Sequence, residues 1–244
     1  MAQNRSDTRV FARLLNLIYP RRCPICDGLT GGEGRLVCDK CRPKLHPIEE
    51  PFCKKCGKVL ERWESEYCSD CSRKKHSFER GRACFEYDRR MRASISRFKY
   101  HNRREYADFY SEEILRTLGR ELRSWKPDLL VPIPLHRSRM RKRGFNQAEL
   151  VADRIGERLG IPVGTDILLR VKKTKPQKEL DDAGRHGNLK NAFQACEKKT
   201  EGKRIVLVDD IYTTGSTIDA AAAELKRRGA EKVYFLSICI GRGF

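Results

Sequence analysis

Apolar residues along this chain follow two rhythms, and their alternation sets the expected fold. Short continuous runs at Ala83–Tyr87, Leu129–Pro134, Ile167–Val171, Ile205–Val208 and Lys232–Ile240 have the length and composition of buried strands. Between them, apolar positions recur at helical spacing. Met91, Ile95 and Phe98 share one face within Arg89–Arg104, and Tyr106, Phe109, Leu115, Leu118 and Leu122 do so within 104–124. Leu150, Ile155 and Leu159 define the inner face of a helix over Phe145–Leu159, and Asp181–Asn191 and the stretch from Ile218 read as further helices. Strands alternating with helices predict an α/β fold with a right-handed parallel sheet, and ligands are then expected beyond the carboxyl ends of its strands. Prolines close the second run, and Lys172–Lys178 reads as a polar loop.

Before Phe78 these rhythms are missing. Val10, Phe11, Leu14, Leu15, Leu17 and Ile18 form a short amphipathic pattern over 8–18, stopped by Pro20. A helix there is expected to dock on its own protein, although a partner or a membrane surface would also suit it. An internal repeat follows: Cys23, Cys26, Cys38 and Cys41 recur as Cys53, Cys56, Cys68 and Cys71, each half reading C-x2-C, eleven residues, C-x2-C. Two such turns complete a tetrahedral four-thiolate zinc site, with no open position for catalysis. Too few apolar residues lie between the cysteines for separate cores, so two structural zinc ions are expected to supply the folding energy. Pairing within each half is the preferred ligand assignment; interleaved pairing stays open. Gly28 and Gly57 stand where a positive φ is useful. Cys84, Cys196 and Cys239 lie among apolar neighbours and are expected to be buried. The expected organisation is an N-terminal helix over 1–19, a double zinc ribbon over 20–77 and an α/β domain over 78–244.

Charge adds a class of partner. A net charge of +19 favours polyanions, whether nucleic acid, nucleotide phosphates or an acidic membrane surface. Charged residues near the N-terminus interrupt any secretory core, and the run Val233–Ile240 is too short to span a bilayer, so a soluble intracellular protein is expected. Arg89–Arg104 carries seven cations and no acid, interleaved with Phe98, Tyr100 and His101. A solvated basic face would explain this pattern, and so would a single-stranded nucleic-acid contact using Arg97, Lys99, Tyr100 and Arg103, since aromatics stack on bases.

The sharpest chemistry follows Ile205–Val208. Asp209 and Asp210 stand where that strand would end, and Thr213, Thr214, Gly215, Ser216 and Thr217 then lead into a helix. Hydroxyls, backbone N–H groups and a helix N-terminus suit a phosphate. The acids could accept hydrogen bonds from sugar hydroxyls or hold a hard cation through water. A second segment, His136–Gln147, places five cations in eight residues before Gly144 and reads as a loop suited to a diphosphate.

The 206–217 stretch resembles the phosphoribosyl pyrophosphate (PRPP) motif of type I phosphoribosyltransferases. That resemblance implies ribose contacts for Asp209 and Asp210, a 5′-phosphate site at Thr213–Thr217, and Mg2+ accompanying PRPP; Arg137 and Arg143 are expected on the diphosphate. Further features are Lys99-Tyr100, Val131-Pro-x-Pro-Leu-His, Arg143-Gly-Phe-Asn-Gln147, Gln177-x-x-Leu180, Arg185-x-x-Asn188 and Ala192-Phe193. Together with the ribbons, they resemble the ComF family of competence-associated proteins. The resemblance implies a cytoplasmic, PRPP-binding protein that handles incoming single-stranded DNA and works with other DNA-uptake proteins. Hypoxanthine-type enzymes carry an aspartate where this chain has Thr213, which argues against purine salvage. The chain stops at Phe244, soon after the last strand, so any hood over an acceptor is expected from residues 1–128. An active transferase with an unidentified acceptor and a non-catalytic PRPP sensor remain alternatives, and no catalytic residue is assigned.

Overall fold

A computed structural model describes residues 20–32, 34–172 and 191–242. The expected helices over 8–18 and 181–191, the 172–178 loop beyond Lys172, and the motifs at Gln177–Leu180 and Arg185–Asn188 lie outside those residues. The alternation of strand and helix is realised. After α1 (Ser69–Arg73) come β1 (Gly81–Glu86), α2 (Arg89–Tyr100), α3 (Tyr106–Ser124), β2 (Leu129–Pro132) and α4 (Arg137–Arg143). Then follow α5 (Gln147–Leu159), β3 (Leu168–Arg170), β4 (Phe193–Ala195), α6 (Glu197–Thr200), β5 (Arg204–Tyr212), α7 (Ser216–Arg227) and β6 (Lys232–Ile240).

Four strands form one parallel sheet in the order β1-β6-β5-β2. The two continuous apolar runs, β5 and β6, occupy its centre because only there are both faces covered. The fifth expected strand departs from this plan. Leu168–Arg170 pairs antiparallel with Phe193–Ala195 in a separate two-stranded sheet. Leu169 is exposed while Leu168 is buried, which is the alternation of a one-sided ribbon.

The sheet has two cores, one per face, and each zinc ribbon belongs to one of them. Val206, Val208, Leu236 and Ile238 pack with α2, α3 and α5, and Cys23, Val37 and Cys41 of the first ribbon join that cluster. Ile205, Leu207, Val233 and Phe235 pack with α7 on the other face, and Cys53, Cys56 and Cys68 join there. The segment between the ribbons and the first knuckle of the second ribbon close the free edge of β1: the Ile48 N–H donates to the Cys84 carbonyl and the Gly81 N–H to the Lys55 carbonyl, both at 2.8 Å. An edge strand covered in this way cannot template pairing with another chain. Gly81 is required at that edge, since a Cβ there would lie 1.9 Å from the Phe235 ring. The ribbons therefore complete the cores of the α/β layer and do not stand apart from it.

Cys84 and Cys239 are buried as expected, whereas Cys196 is exposed just before α6. His136–Gln147 is not a loop throughout. His136 caps α4 by accepting from the Ser138 N–H, and Gly144, with φ 75°, ends it. Phe145 is then buried, and Asn146 caps α5 while its amide donates to the Ile133 carbonyl at 3.0 Å. The Arg143-Gly-Phe-Asn-Gln147 motif is thus a helix stop, a core anchor and a helix start that fix α5 to the end of β2.

Candidate functional site

The two four-cysteine clusters form as the repeat predicts. Cys23, Cys26, Cys38 and Cys41 bring their Sγ atoms within 4.8 Å of one another, as do Cys53, Cys56, Cys68 and Cys71, so pairing runs within each half. A tetrahedron of 2.3 Å Zn–S bonds has edges of about 3.8 Å. Cys26 and Cys38 lie 3.8 Å apart and Cys56 and Cys68 3.6 Å, so both sites fit structural zinc. Hydrogen bonds from Cys56, Cys68 and Cys71 hold the Cys53 thiol far below its ordinary range, while Cys53 pushes Cys56 far above it. Thiols packed this closely must divide their protons until a cation replaces them.

The first knuckle of each ribbon turns through a left-handed residue, but only one of the two is a glycine. Gly57 has φ 78°, and Asp27, not Gly28, takes the equivalent position with φ 63°. The Asp27 carboxylate accepts from the Tyr106 hydroxyl at 2.8 Å and pairs with Arg103 at 3.2 Å. Burial would raise this carboxyl, but Tyr106 and Arg103 outweigh burial and hold it below its ordinary range. The Arg97 guanidinium donates to the carbonyls of Pro24 and Ile25 at 3.0 and 2.7 Å. Arg97 of α2 and Arg103 of the segment after it, expected as nucleic-acid contacts, both brace the first ribbon. Arg97→Ala is expected to lower stability by about 1.5–3 kcal/mol, the worth of charge-assisted hydrogen bonds. Thermal unfolding checks this, and an unchanged midpoint would refute the bracing role.

The second site stands at the carboxyl end of β5. The strand does not end at its acids. It runs through Asp209 and Asp210 to Tyr212, because Ser237–Ile240 of β6 continues the pairing. Tyr212 is buried and stacks on Phe235 with ring centroids 4.5 Å apart. The backbone then reverses at Gly215, with φ 80°, where a Cβ would lie 2.4 Å from the Tyr212 hydroxyl oxygen. The hydroxyls of Thr214 and Ser216 lie 2.9 Å apart as α7 begins. Asp209, Tyr212, Thr213, Gly215, Ser216 and Thr217 line one shallow cavity.

Cations act on the acid pair from two elements, α2 and β3. Lys99 of α2 pairs with Asp210 at 2.6 Å, both side chains largely buried. The Asp210 N–H donates to Asp209 Oδ1 at 2.8 Å. Burial first, and the charge of Asp210 second, push the Asp209 carboxyl up to about 7, against the pull of Lys99 and Arg170. Arg170, beside Phe193 and in the field of Arg139 and Asp209, is itself pushed down to about 10, mainly by burial. Sequence reasoning missed Arg170. Its only signal was a cation closing a strand of two leucines.

Of the expected diphosphate residues, Arg143 lies over the Tyr100 ring at 5.0 Å and donates to the Tyr100 hydroxyl and to Gln147. Arg137 is exposed on the first turn of α4. Lys99 and Tyr100, expected as nucleic-acid contacts, stand beside the acid pair: Lys99 is bound to Asp210, and Tyr100 lies in the field of the same carboxylate.

With this geometry in hand, comparison with known proteins is direct. The family model described as "Double zinc ribbon domain" matches residues 14–72, and "Phosphoribosyl transferase domain" matches residues 107–242. Competence protein F of Haemophilus influenzae is 36% identical over 57% of this chain and 63% of its own length. The DNA utilization protein YhgH of Salmonella typhi is 32% identical over 89% of this chain and 83% of its own. Competence protein ComFC of Bacillus subtilis is 30% identical over 79% of each chain. The alignment with competence protein F covers less than two thirds of that relative. Among solved structures, the purine phosphoribosyltransferase of Pyrococcus horikoshii is 22% identical over 54% of this chain and 74% of its own, with a TM-score of 0.34. The sheet is of the type I phosphoribosyltransferase kind, and it is preceded by a double zinc ribbon.

Proposed function

The chain belongs to the ComF family of competence and DNA-utilization proteins, and from that premise we propose that it binds PRPP and serves DNA uptake, with single-stranded DNA as a partner. The observation that carries the proposal is the acid pair of β5 running into a hydroxyl-rich turn at Gly215, with Lys99 paired to Asp210 and Arg170 in the field of Asp209. In this reading Asp209 and Asp210 take the ribose hydroxyls and, through water, a Mg2+ ion. Thr213, Thr214, Gly215, Ser216 and Thr217 take the 5′-phosphate, while Arg137, Arg143 and Arg170 face the diphosphate. The transferase kind of domain makes a reaction at the ribose the leading chemistry. Labelled PRPP, incubated with and without DNA and candidate bases, tests it. Diphosphate release dependent on one acceptor establishes the enzyme, and binding without release establishes a sensor.

The pocket's electrostatics add a pH dependence. A ribose hydroxyl donates best to an ionised carboxylate, and Asp209 ionises only near 7. PRPP affinity is therefore expected to fall as pH drops through about 7, and Asp209→Asn should flatten that part of the profile. Lys99 favours the ionised form of Asp209, so Lys99→Ala should weaken PRPP at neutral pH and move the midpoint upward. Calorimetric titrations from pH 5.5 to 8.5 would show both effects; a midpoint unmoved by Lys99→Ala would remove Lys99 from the pocket.

Single-stranded DNA is expected on the exposed cations of α4 that do not face the diphosphate, Arg141 and Lys142, beside the exposed ring of Tyr100. Replacing both cations with Ala should reduce the slope of log affinity against log salt by about 0.7 for each phosphate that is no longer neutralised. Fluorescence anisotropy with an oligothymidine measures it, and an unchanged slope would place DNA elsewhere.

A further inference from the structure

Between the second cysteine cluster and the phosphate-binding turn lies a buried contact that neither the zinc site nor the PRPP pocket requires. His76 follows the last ligand of that cluster by five residues, and its side chain is 1% exposed. Its Nε2 lies 3.5 Å from Cys71 Sγ, and its Nδ1 lies 2.7 Å from Asp219 Oδ2. A carboxylate can only accept, so Nδ1 donates and Nε2 is left facing the sulfur. The Ser77 N–H donates to the other Asp219 oxygen at 3.0 Å, which fixes the carboxylate from both sides. Asp219 stands in the first turn of α7, and its own N–H donates to the Gly215 carbonyl at 2.8 Å. A continuous path of close polar contacts thus runs from Cys71 through His76 and Asp219 to the glycine on which the turn pivots.

Aromatic packing reinforces that path. The His76 ring stacks on Phe78 at 4.8 Å, and Phe78 meets Tyr212 and Phe235 edge-on at 6.2 and 4.9 Å. Tyr212 is the residue whose hydroxyl blocks a side chain at position 215. Partners that orient a metal ligand through its free hydrogen-bonding site are as much a part of a metal centre as the ligands. Here the outer partner is anchored on a different element with a different task.

We propose that His76 is a positioning residue joining the second zinc site to the phosphate-binding turn, so that metal held by Cys53, Cys56, Cys68 and Cys71 fixes the geometry of Thr213–Asp219. This rests on the assignment of that turn to phosphate, but its test does not. Asn at position 76 can reach Asp219 but not Cys71, and Gln can do the reverse, so each cuts the strut at one end.

Hydrogen exchange by mass spectrometry on the full chain, with two zinc ions confirmed by metal analysis, reads the turn directly. His76→Asn and His76→Gln are each expected to speed exchange across Thr213–Asp219 by about tenfold or more, the consequence of losing one charge-assisted hydrogen bond. Peptides of the first ribbon should not change. Wild-type exchange in either two-zinc variant would overturn the proposal.

Asp219→Asn offers a second readout that leaves His76 and every ligand intact. In the cobalt-substituted protein it should shift the thiolate-to-cobalt absorption of one of the two ions, and an unshifted spectrum would overturn the strut. A parallel PRPP titration separates the two ideas. Wild-type protein that fails to bind PRPP while the exchange and cobalt results hold would refute the phosphate assignment and leave the strut standing.

Discussion

Removing zinc from this protein is expected to abolish the cooperative unfolding transition of the whole chain, not of its N-terminal third alone. A structural zinc contributes roughly 10–16 kcal/mol of apparent folding energy in small ribbons. A typical domain is stable by only about 5–15 kcal/mol in total. Two independent modules could lose one transition and keep the other, but here the geometry joins them. Cys53, Cys56 and Cys68 are buried in the same cluster as Leu207, Val233 and Phe235, and Cys23 and Cys41 lie in the cluster of Val206, Val208 and Leu236. Losing either site would open one face of the central sheet and uncover the edge of β1. Circular dichroism during heating, with and without a strong chelator, measures this, and Cys56→Ala tests one site alone. A chelated chain that still melts cooperatively would show that the sheet does not need its ribbons.

What could be read from the residues was whatever is encoded within a few positions. The cysteine repeat pointed to pairing within each half, because two knuckles so close in sequence meet without help from the rest of the chain, and the structure closes the interleaved alternative. Ile205–Val208 announced a central strand, since only a strand covered on both faces is apolar throughout. Contacts assembled by the fold were not legible. Lys99 reads as one cation among seven, and becomes part of the pocket only because α2 crosses above the end of β5. His76 and Asp219 are 143 residues apart. Residues Arg137–Arg143 carry no apolar periodicity and so read as a loop, although His136 and Gly144, the two caps that enclose the helix, were both visible. Asp27 adopts a conformation that favours glycine because Tyr106 and Arg103 hold its carboxylate, and both lie far along the chain.

The largest effect on ligand binding is expected from the acid pair. In an Asp209→Asn, Asp210→Asn variant each position loses a charge-assisted acceptor for a ribose hydroxyl or for metal-bound water. At roughly 1.5–3 kcal/mol apiece, PRPP affinity should fall by about two to four decades. Stability should move the other way, and the sign follows from the carboxyl of Asp209. Its folded-state value of about 7 lies above the ordinary carboxylate range, so ionising it in place opposes folding. That cost is absent in acid, grows as pH rises toward 7, and is then constant. Asparagine at 209 removes it, and the variant should melt no lower than wild type at pH 8, with a smaller difference at pH 5. Lys99 moderates the gain, because it loses its partner when Asp210 becomes neutral. An acid that lines a cavity at a cost in stability is what a binding residue looks like. Titration calorimetry with PRPP and Mg2+, run beside thermal melts at both pH values, checks the pair of effects together. If PRPP binds the double variant as well as wild type, Asp209 and Asp210 are not the ribose site; if the variant melts well below wild type at pH 8, they are structural residues instead.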